Sequence, residues 1–294
     1  GGKDPNVSTN AVPTFSDVRG TSAEWAEGYI ESCVAQGIVS GVGGGRFAPD
    51  GNVTGAQLAK MLLVCLGYNS DNEGFTGNAW ETNVNVRAAQ KDLYEGLEDM
   101  DTSAAVTRDQ AAQMVWNALN AYEVEYKTTL VTDENGNLIT QVVVQDKVVG
   151  TTNDKITLLR DKYDAWVYVG TLVQVDGGTL TINMSAADQA ASDPVAESDS
   201  ATFTKVGTDY SDLMGQKVKV MFKNGKTNEV IGIYATSDNT VVTANQKDIS
   251  VDAGKLSIND TKYTLESNGV AVYVDGDLQE TNYKAGDFEV ARSA

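Results

Sequence analysis

The chain is 294 residues long, enough at roughly 150 residues per domain for about two domains that bury their own cores without help from disulfides or metals. It carries 22 basic and 41 acidic side chains, a net charge of −19 that repels phosphate backbones, so no nucleic-acid partner is expected. It has no histidine, which removes Ser-His-Asp and Cys-His catalysis, histidine general bases, histidine-ligated zinc and non-haem iron, and proximal haem ligation together.

Residues 1–13 open Gly1-Gly2-Lys3-Asp4-Pro5-Asn6, polar and without apolar period, and read as a linker entered midway through a longer chain. Two segments, 14–70 and 71–124, then form an internal repeat. Trp25 and Trp80 are 55 residues apart and Thr54 and Thr107 are 53 apart; superposing the threonines aligns Val53 with Val106, Gln57 with Gln110, Met61 with Met114 and Leu66 with Leu119. Each copy reads as a Trp-led helix, a turn, and a second helix (57–66 and 109–119) opened by Thr-x-x-Gln. That motif predicts a capping box, in which the Thr oxygen and the Gln side chain each satisfy an orphan backbone donor. Two short helices bury little by themselves, so sibling units must pack on one another. Met61, Met114, Leu66 and Leu119 read as core; Trp25 and Trp80 read first as core, with an indole edge lining a groove as the other reading. Cys33 and Cys65 lie among apolar helical residues with no CxxC motif, which predicts two buried free thiols and leaves a disulfide open. The longest apolar run, 61–66, is far short of the ~20 residues that cross a bilayer, so no membrane insertion is expected.

Near residue 125 the apolar period changes from helical to two. Residues 125–237 read as a β domain, a small barrel or sandwich, with hairpin signals at Asp133-Glu134-Asn135-Gly136-Asn137, Asp176-Gly177-Gly178 and Lys223-Asn224-Gly225-Lys226. Within it, 184–200 is small and acidic and reads as a long surface loop or a short helix. Residues 238–294, with a further turn signal at Asp275-Gly276-Asp277, read as a second β unit or a continuation of the first. The fold class is therefore α+β and multidomain, with an all-α helical bundle first and all-β units after it. The aromatic groups Tyr163, Trp166, Tyr168 and Tyr263, Tyr273, Tyr283 read as strand faces.

The motif chemistry is mostly negative. Gly41, Gly43, Gly44 and Gly45 are not followed by Gly-Lys-Ser/Thr and read as a turn, not a phosphate loop. Asp99-x-Asp101-x-Ser103 begins like a calcium loop but has Ala104 where glycine is needed and Gln110 where the bidentate glutamate belongs, so no metal site is assigned. Paired carboxylates can cleave glycosides without histidine, yet no pair stands out among 41 acids, and no catalytic residue is named. No cofactor is expected; calcium is left open as a bridging ion.

Phe15-Ser16-Asp17-Val18, Trp25-Ala26, Tyr29-Ile30, Gly37-Ile38, Gly41, Gly45-Arg46-Phe47-Ala48-Pro49-Asp50 and Val53-Thr54 closely resemble the S-layer homology (SLH) repeat. A degenerate second copy keeps Phe75, Trp80, Asn83-Val84, Leu93, Gly96-Leu97 and Val106-Thr107-Arg108-Asp109-Gln110 but loses the Gly-x-Phe-x-Pro turn. The resemblance implies a non-enzymatic, exported protein of the bacterial cell wall or S-layer. Its repeats, usually three, would hold an anionic, often pyruvylated secondary cell wall polysaccharide noncovalently; a signal peptide and a further repeat are then expected upstream of Gly1. In the family an arginine follows the capping threonine and meets the anionic sugar. Only Arg108 matches it; the first copy has Gly55 there, leaving Arg46 as the substitute. The expected polymer-binding residues are thus Arg108, Thr107, Trp80, Trp25, Arg46, Gly41 and Thr54. An arginine fork beside a helix N-terminus suits a carboxylate. Residues 1–120 carry 7 basic and 15 acidic side chains, so recognition must be local and not by bulk charge. Two other readings stay open: a carbohydrate-binding or carbohydrate-active β domain carried to the wall by the repeats, and self-assembly of copies whose repulsion cations screen.

Overall fold

The structure, a computed structural model, describes residues 9–150, 154–242, 244–245, 248–252, 255–264, 270–274 and 277–283. The chain forms two compact units, Gly1–Lys162 and Tyr163–Ala294. It is a mixed α and β protein with the helices first. Residues 1–8 of the expected linker and the Asp275-Gly276 turn signal lie outside the described residues.

In the first unit a 3-10 turn, Glu24–Ala26, runs into α1 (Glu27–Ala35), and α2 (Gly55–Cys65), α3 (Trp80–Gln90) and α4 (Arg108–Asn120) follow. Both capping boxes form: the Gln57 N–H donates to Thr54 Oγ1 and the Gln110 N–H to Thr107 Oγ1, while Gln57 and Gln110 return the bond to the threonine N–H groups at 2.9 Å each. The first three helices stop by one device. A residue in left-handed conformation just past the helix end turns the chain back, Gly37 after α1, Gly67 after α2 and Asp92 after α3, and the next amide (Ile38, Tyr68, Leu93) returns to a carbonyl of the last turn.

Leu63 of α2 and Leu66 just past its end, Val84 and Ala88 of α3 and Met114 of α4 meet in one buried core sealed by Phe75 and Leu93. Each fully buried large side chain is worth about 1.5–3 kcal/mol over its exposed state, so the shared core is what holds the two repeats to each other. Leu119 packs partly buried against it. Two core expectations are corrected. Met61 lines an open cavity, because its turn of α2 faces the gap between the repeats. Trp25, in the 3-10 turn that leads into α1, is 79% exposed. Cys33 and Cys65 are unbridged and half-buried.

β1 (Val124–Thr132) and β2 (Leu138–Asp146) form a hairpin whose turn is closed by the Asp133 carboxylate, which accepts the Asn135 and Asn137 N–H groups, with Gly136 in the left-handed region. The hairpin base is tied to the helices: the Val124 N–H donates to the Leu66 carbonyl at 2.8 Å, the Tyr126 hydroxyl donates to Glu73 Oε1 at 2.8 Å, and Lys91 Nζ reaches Asp146 Oδ1 at 2.7 Å. The switch from helix to strand and the boundary between units are therefore separate places, the second falling after α5 (Leu158–Tyr163) begins. Tyr163 is accordingly a helical residue and not part of a strand face.

The second unit is built on a five-stranded antiparallel sheet of β3 (Ala165–Asp176), β4 (Thr179–Asn183), β5 (Ser200–Phe203), β6 (Lys217–Lys223) and β7 (Lys226–Ala235), in the order β5-β4-β3-β6-β7. Both tight turns have two consecutive left-handed residues, Gly177-Gly178 and Asn224-Gly225, as their sequences predict. The segment 184–200 contains a short helix, α6 (Ala186–Ala191), capped by Ser185. Leu172, Leu180, Ile182, Phe203, Val220 and Phe222 are buried on one face, and the Thr204 N–H donates to the Thr227 carbonyl at 3.0 Å, joining the two edges of the sheet. Trp166 and Tyr168 do share a strand face, and they turn edge-on to Phe222 at 6.0 and 4.9 Å. Beyond lie a three-stranded sheet of β8 (Ile249–Asp252), β9 (Lys255–Ile258) and β10 (Thr261–Tyr263) and a pair, β11 (Val270–Val274) and β12 (Asp277–Tyr283).

Candidate functional site

The motif Phe15-Ser16-Asp17-Val18 shapes the glycine-rich turn. Both Asp17 carboxylate oxygens accept backbone amides of that turn, Phe47 N–H at 2.8 Å and Ala48 N–H at 2.9 Å, and Phe15 stacks at a tilt on Phe47, 5.4 Å between centroids. Gly41 is obligatory: it lies at φ +73°, and a Cβ there would overlap the Phe15 ring and the Arg46 carbonyl. The Phe47 amide, more than any other group, holds the Asp17 carboxyl below the ordinary carboxylate range. A carboxyl depressed in the folded state stabilises above its unfolded value, near 3.9, and that contribution is lost as pH falls through the folded value. The Phe47 and Ala48 amide resonances should therefore shift together on acidification below about pH 4, and Asp17→Asn should abolish the shared titration. Independent titration of the two amides would disprove the latch.

The turn so held forms one wall of a groove. Gly41, Phe47 and Pro49 face Gln57, Lys60 and Met61 of α2, and the second repeat closes the far side with Phe75, Gly77 and Trp80 around a cavity of about 520 Å³. Trp80 serves both readings at once, since it also packs against the core. Lys60 is the groove's cation. It is half-buried, and among the described residues it has neither ion pair nor hydrogen bond; burial pushes its pKa down, and the charge of Asp71 only partly offsets this. A partly desolvated ammonium with no carboxylate in direct contact is a place where an anion is favoured. A second hollow of about 540 Å³, lined by Arg87 and Lys91, differs in that its cations are already neutralised by Glu73 and Asp146.

The structure does not gather the seven expected residues into one site. Gly41 and Trp80 line the groove. Thr54 caps α2, and the donors beside it are spent on the second repeat: Gly55 N–H donates to the Ala104 carbonyl at 3.2 Å and Ala56 N–H to Thr102 at 2.9 Å. A Cβ on Gly55 would lie 2.9 Å from Thr102 Cα, which is why no arginine stands there. Thr107 and Arg108 open the corresponding helix of the second repeat, exposed, with no such loop over them among the described residues. Arg46 does not line the groove, and its Nε lies 3.5 Å from Asp17 Oδ2. Trp25, counterpart of Trp80, is open to solvent. Lys60 was the missed residue. Its signal was legible, for it is the lone charge between Thr54 and Leu66 on an otherwise largely apolar helix.

The S-layer homology domain family matches residues 14–59, the stretch holding the Asp17 latch, the glycine turn and the start of α2. Residues 14–59 are an S-layer homology domain. The chain is 25% identical over 283 residues to a surface layer protein of Brevibacillus choshinensis, an alignment covering 87% of this chain and 23% of that protein. It is 23% identical over 286 residues to a middle cell wall protein of Brevibacillus brevis, covering 92% of this chain and 25% of that protein. The chain thus spans about a quarter of the length of these relatives, and its S-layer homology domain is a small part of it. No solved structure matches the chain.

Proposed function

We propose that this chain is a non-catalytic piece of a cell-surface protein, anchored noncovalently to an anionic secondary cell wall polysaccharide by the groove between its two repeats. The S-layer homology domain and relatives named for surface and wall layers place it at the cell wall. The observation that carries the mode of binding is the half-buried, unpaired Lys60 in a groove walled by Trp80 and the Gly41 turn. An acidic sugar substituent such as a pyruvate ketal would neutralise Lys60 while the indole face packs the ring. Arg108, exposed at the start of α4, is offered as a second, outlying contact. The five-stranded unit, its edges joined at Thr204 and Thr227, is read as a small barrel that carries the layer outward, and copies of the chain associate with one another there or elsewhere. The aromatic pair that a carbohydrate-binding β domain would use, Trp166 and Tyr168, is directed at Phe222 in the core. Co-sedimentation tests the proposal. The chain should pellet with walls that carry their anionic polymer and stay in solution with walls stripped of it; equal pelleting with both would refute it.

A further inference from the structure

We propose that the outer half of the β1–β2 hairpin is a strand-addition surface through which one copy of this chain pairs with a second copy. The inference rests on the self-association reading above and names its contact. The hairpin runs through nine consecutive antiparallel pairs, Val124↔Asp146 to Thr132↔Leu138, without a register shift, and within the described residues β1 and β2 pair only with each other. Both outer edges therefore present rows of unpaired backbone donors and acceptors. Its base is held by Tyr126 and by Lys91 and Asp146, so the strip beyond is aimed by the helical core.

Natural sheets blunt such edges with lysine, proline or bulges. Residues 128–132 and 138–144 contain no charged residue and no proline, and no bulge interrupts them. The face that packs Val124 and Val144 onto the helices continues outward as Leu130, Leu138 and Val142, which are 71%, 72% and 56% exposed. Charge selects the occupant. On a chain of net charge −19 a cationic partner would be drawn to the acidic side chains, whereas two like copies meet least repulsion at an uncharged strip. An antiparallel edge is also self-complementary about a two-fold axis, so a second copy needs no new surface to complete the contact. Five residues of strand advance about 17 Å, which gives an interface well below the ~1,200 Å² of stable complexes. The pairing is weak in solution and gains strength where many copies are tethered side by side.

Sedimentation equilibrium of the whole chain from about 10 to about 500 µM, at an ionic strength of about 0.15 M that shortens the repulsion, tests this. The mean mass should rise by about 1.5-fold or more across that range, the doubly substituted Leu130→Lys, Val142→Lys chain should remain monomeric, and Lys60→Ala should associate as the parent does. Hydrogen exchange on the unsubstituted chain gives a readout that needs no variant: amides in 128–132 and 138–142 should exchange more slowly at the higher concentration. Association of the double variant equal to the parent's, or exchange unchanged with concentration while the mass rises, overturns the hairpin contact and leaves self-association standing. A parent that stays monomeric throughout overturns both, and wall co-sedimentation still reports separately on anchoring.

Discussion

Lys60→Ala should weaken binding of the chain to the anionic wall polymer by about 10-fold to 100-fold, the range that follows from losing a charge-assisted hydrogen bond of about 1.5–3 kcal/mol. The substitution removes a partly desolvated charge that has no carboxylate partner among the described residues, so fold stability should not fall, and the loss belongs to binding alone. Arg108→Ala should cost less than about 5-fold, since an exposed cation contributes only about 0–1 kcal/mol. The pH profile carries a second signature. Burial lowers the pKa of free Lys60, and a bound anion raises it again, so affinity is constant below the lowered value and falls as pH rises through it. Binding should thus be lost at a lower pH than an ordinary lysine would give, and Lys60→Ala should flatten that limb. Calorimetric titration with purified polymer decides it: parent-like affinity in Lys60→Ala, or a larger loss in Arg108→Ala, would move the site to the open start of α4.

Gly55→Arg, which restores the arginine the family places after the capping threonine, should destabilise the helical unit by about 3 kcal/mol or more and should not improve binding. The added Cβ alone meets Thr102 Cα at 2.9 Å, the Thr102 carbonyl at 3.2 Å and Met100 Cε at 3.2 Å, and two of these are backbone atoms that move only with the loop. Moving the loop also releases the Gly55 and Ala56 amides from the Ala104 and Thr102 carbonyls, leaving donors at a helix start without partners. Urea unfolding followed by helix circular dichroism measures the change. A midpoint unchanged from the parent would mean that the loop yields freely and that the close approach of the repeats is not a packing constraint.

Where the sequence was legible, the rule was local. Thr54 and Thr107 with Gln57 and Gln110 fix two helix starts within four residues of chain, and Asn224-Gly225 fixes a hairpin by its own backbone preferences. The repeat was legible for the same reason, since two copies of one local pattern need no partner to be seen. The placement of site residues was not local. Nothing in the residues around Gly55 says that a loop 47 residues later will cover it, and Trp25 and Trp80 are alike in sequence but differ in exposure because Trp80 packs against the shared core and the first repeat's groove wall while Trp25 stays in solvent.

The hairpin shows the same division. Its strands and its turn were readable from alternation and from Asp133 with Gly136, yet its membership of the helical unit depends on Tyr126, Asp146 and Val124 finding partners far away in sequence. By itself the sequence determined the helix caps, the turns, the repeat, the acidic surface and the chemistries that a chain without histidine cannot use. Only the tertiary structure decided which cation is left half-buried without a partner, which helix start is covered and which apolar residues remain outside, because burial and charge pairing are set by what arrives from elsewhere in the chain.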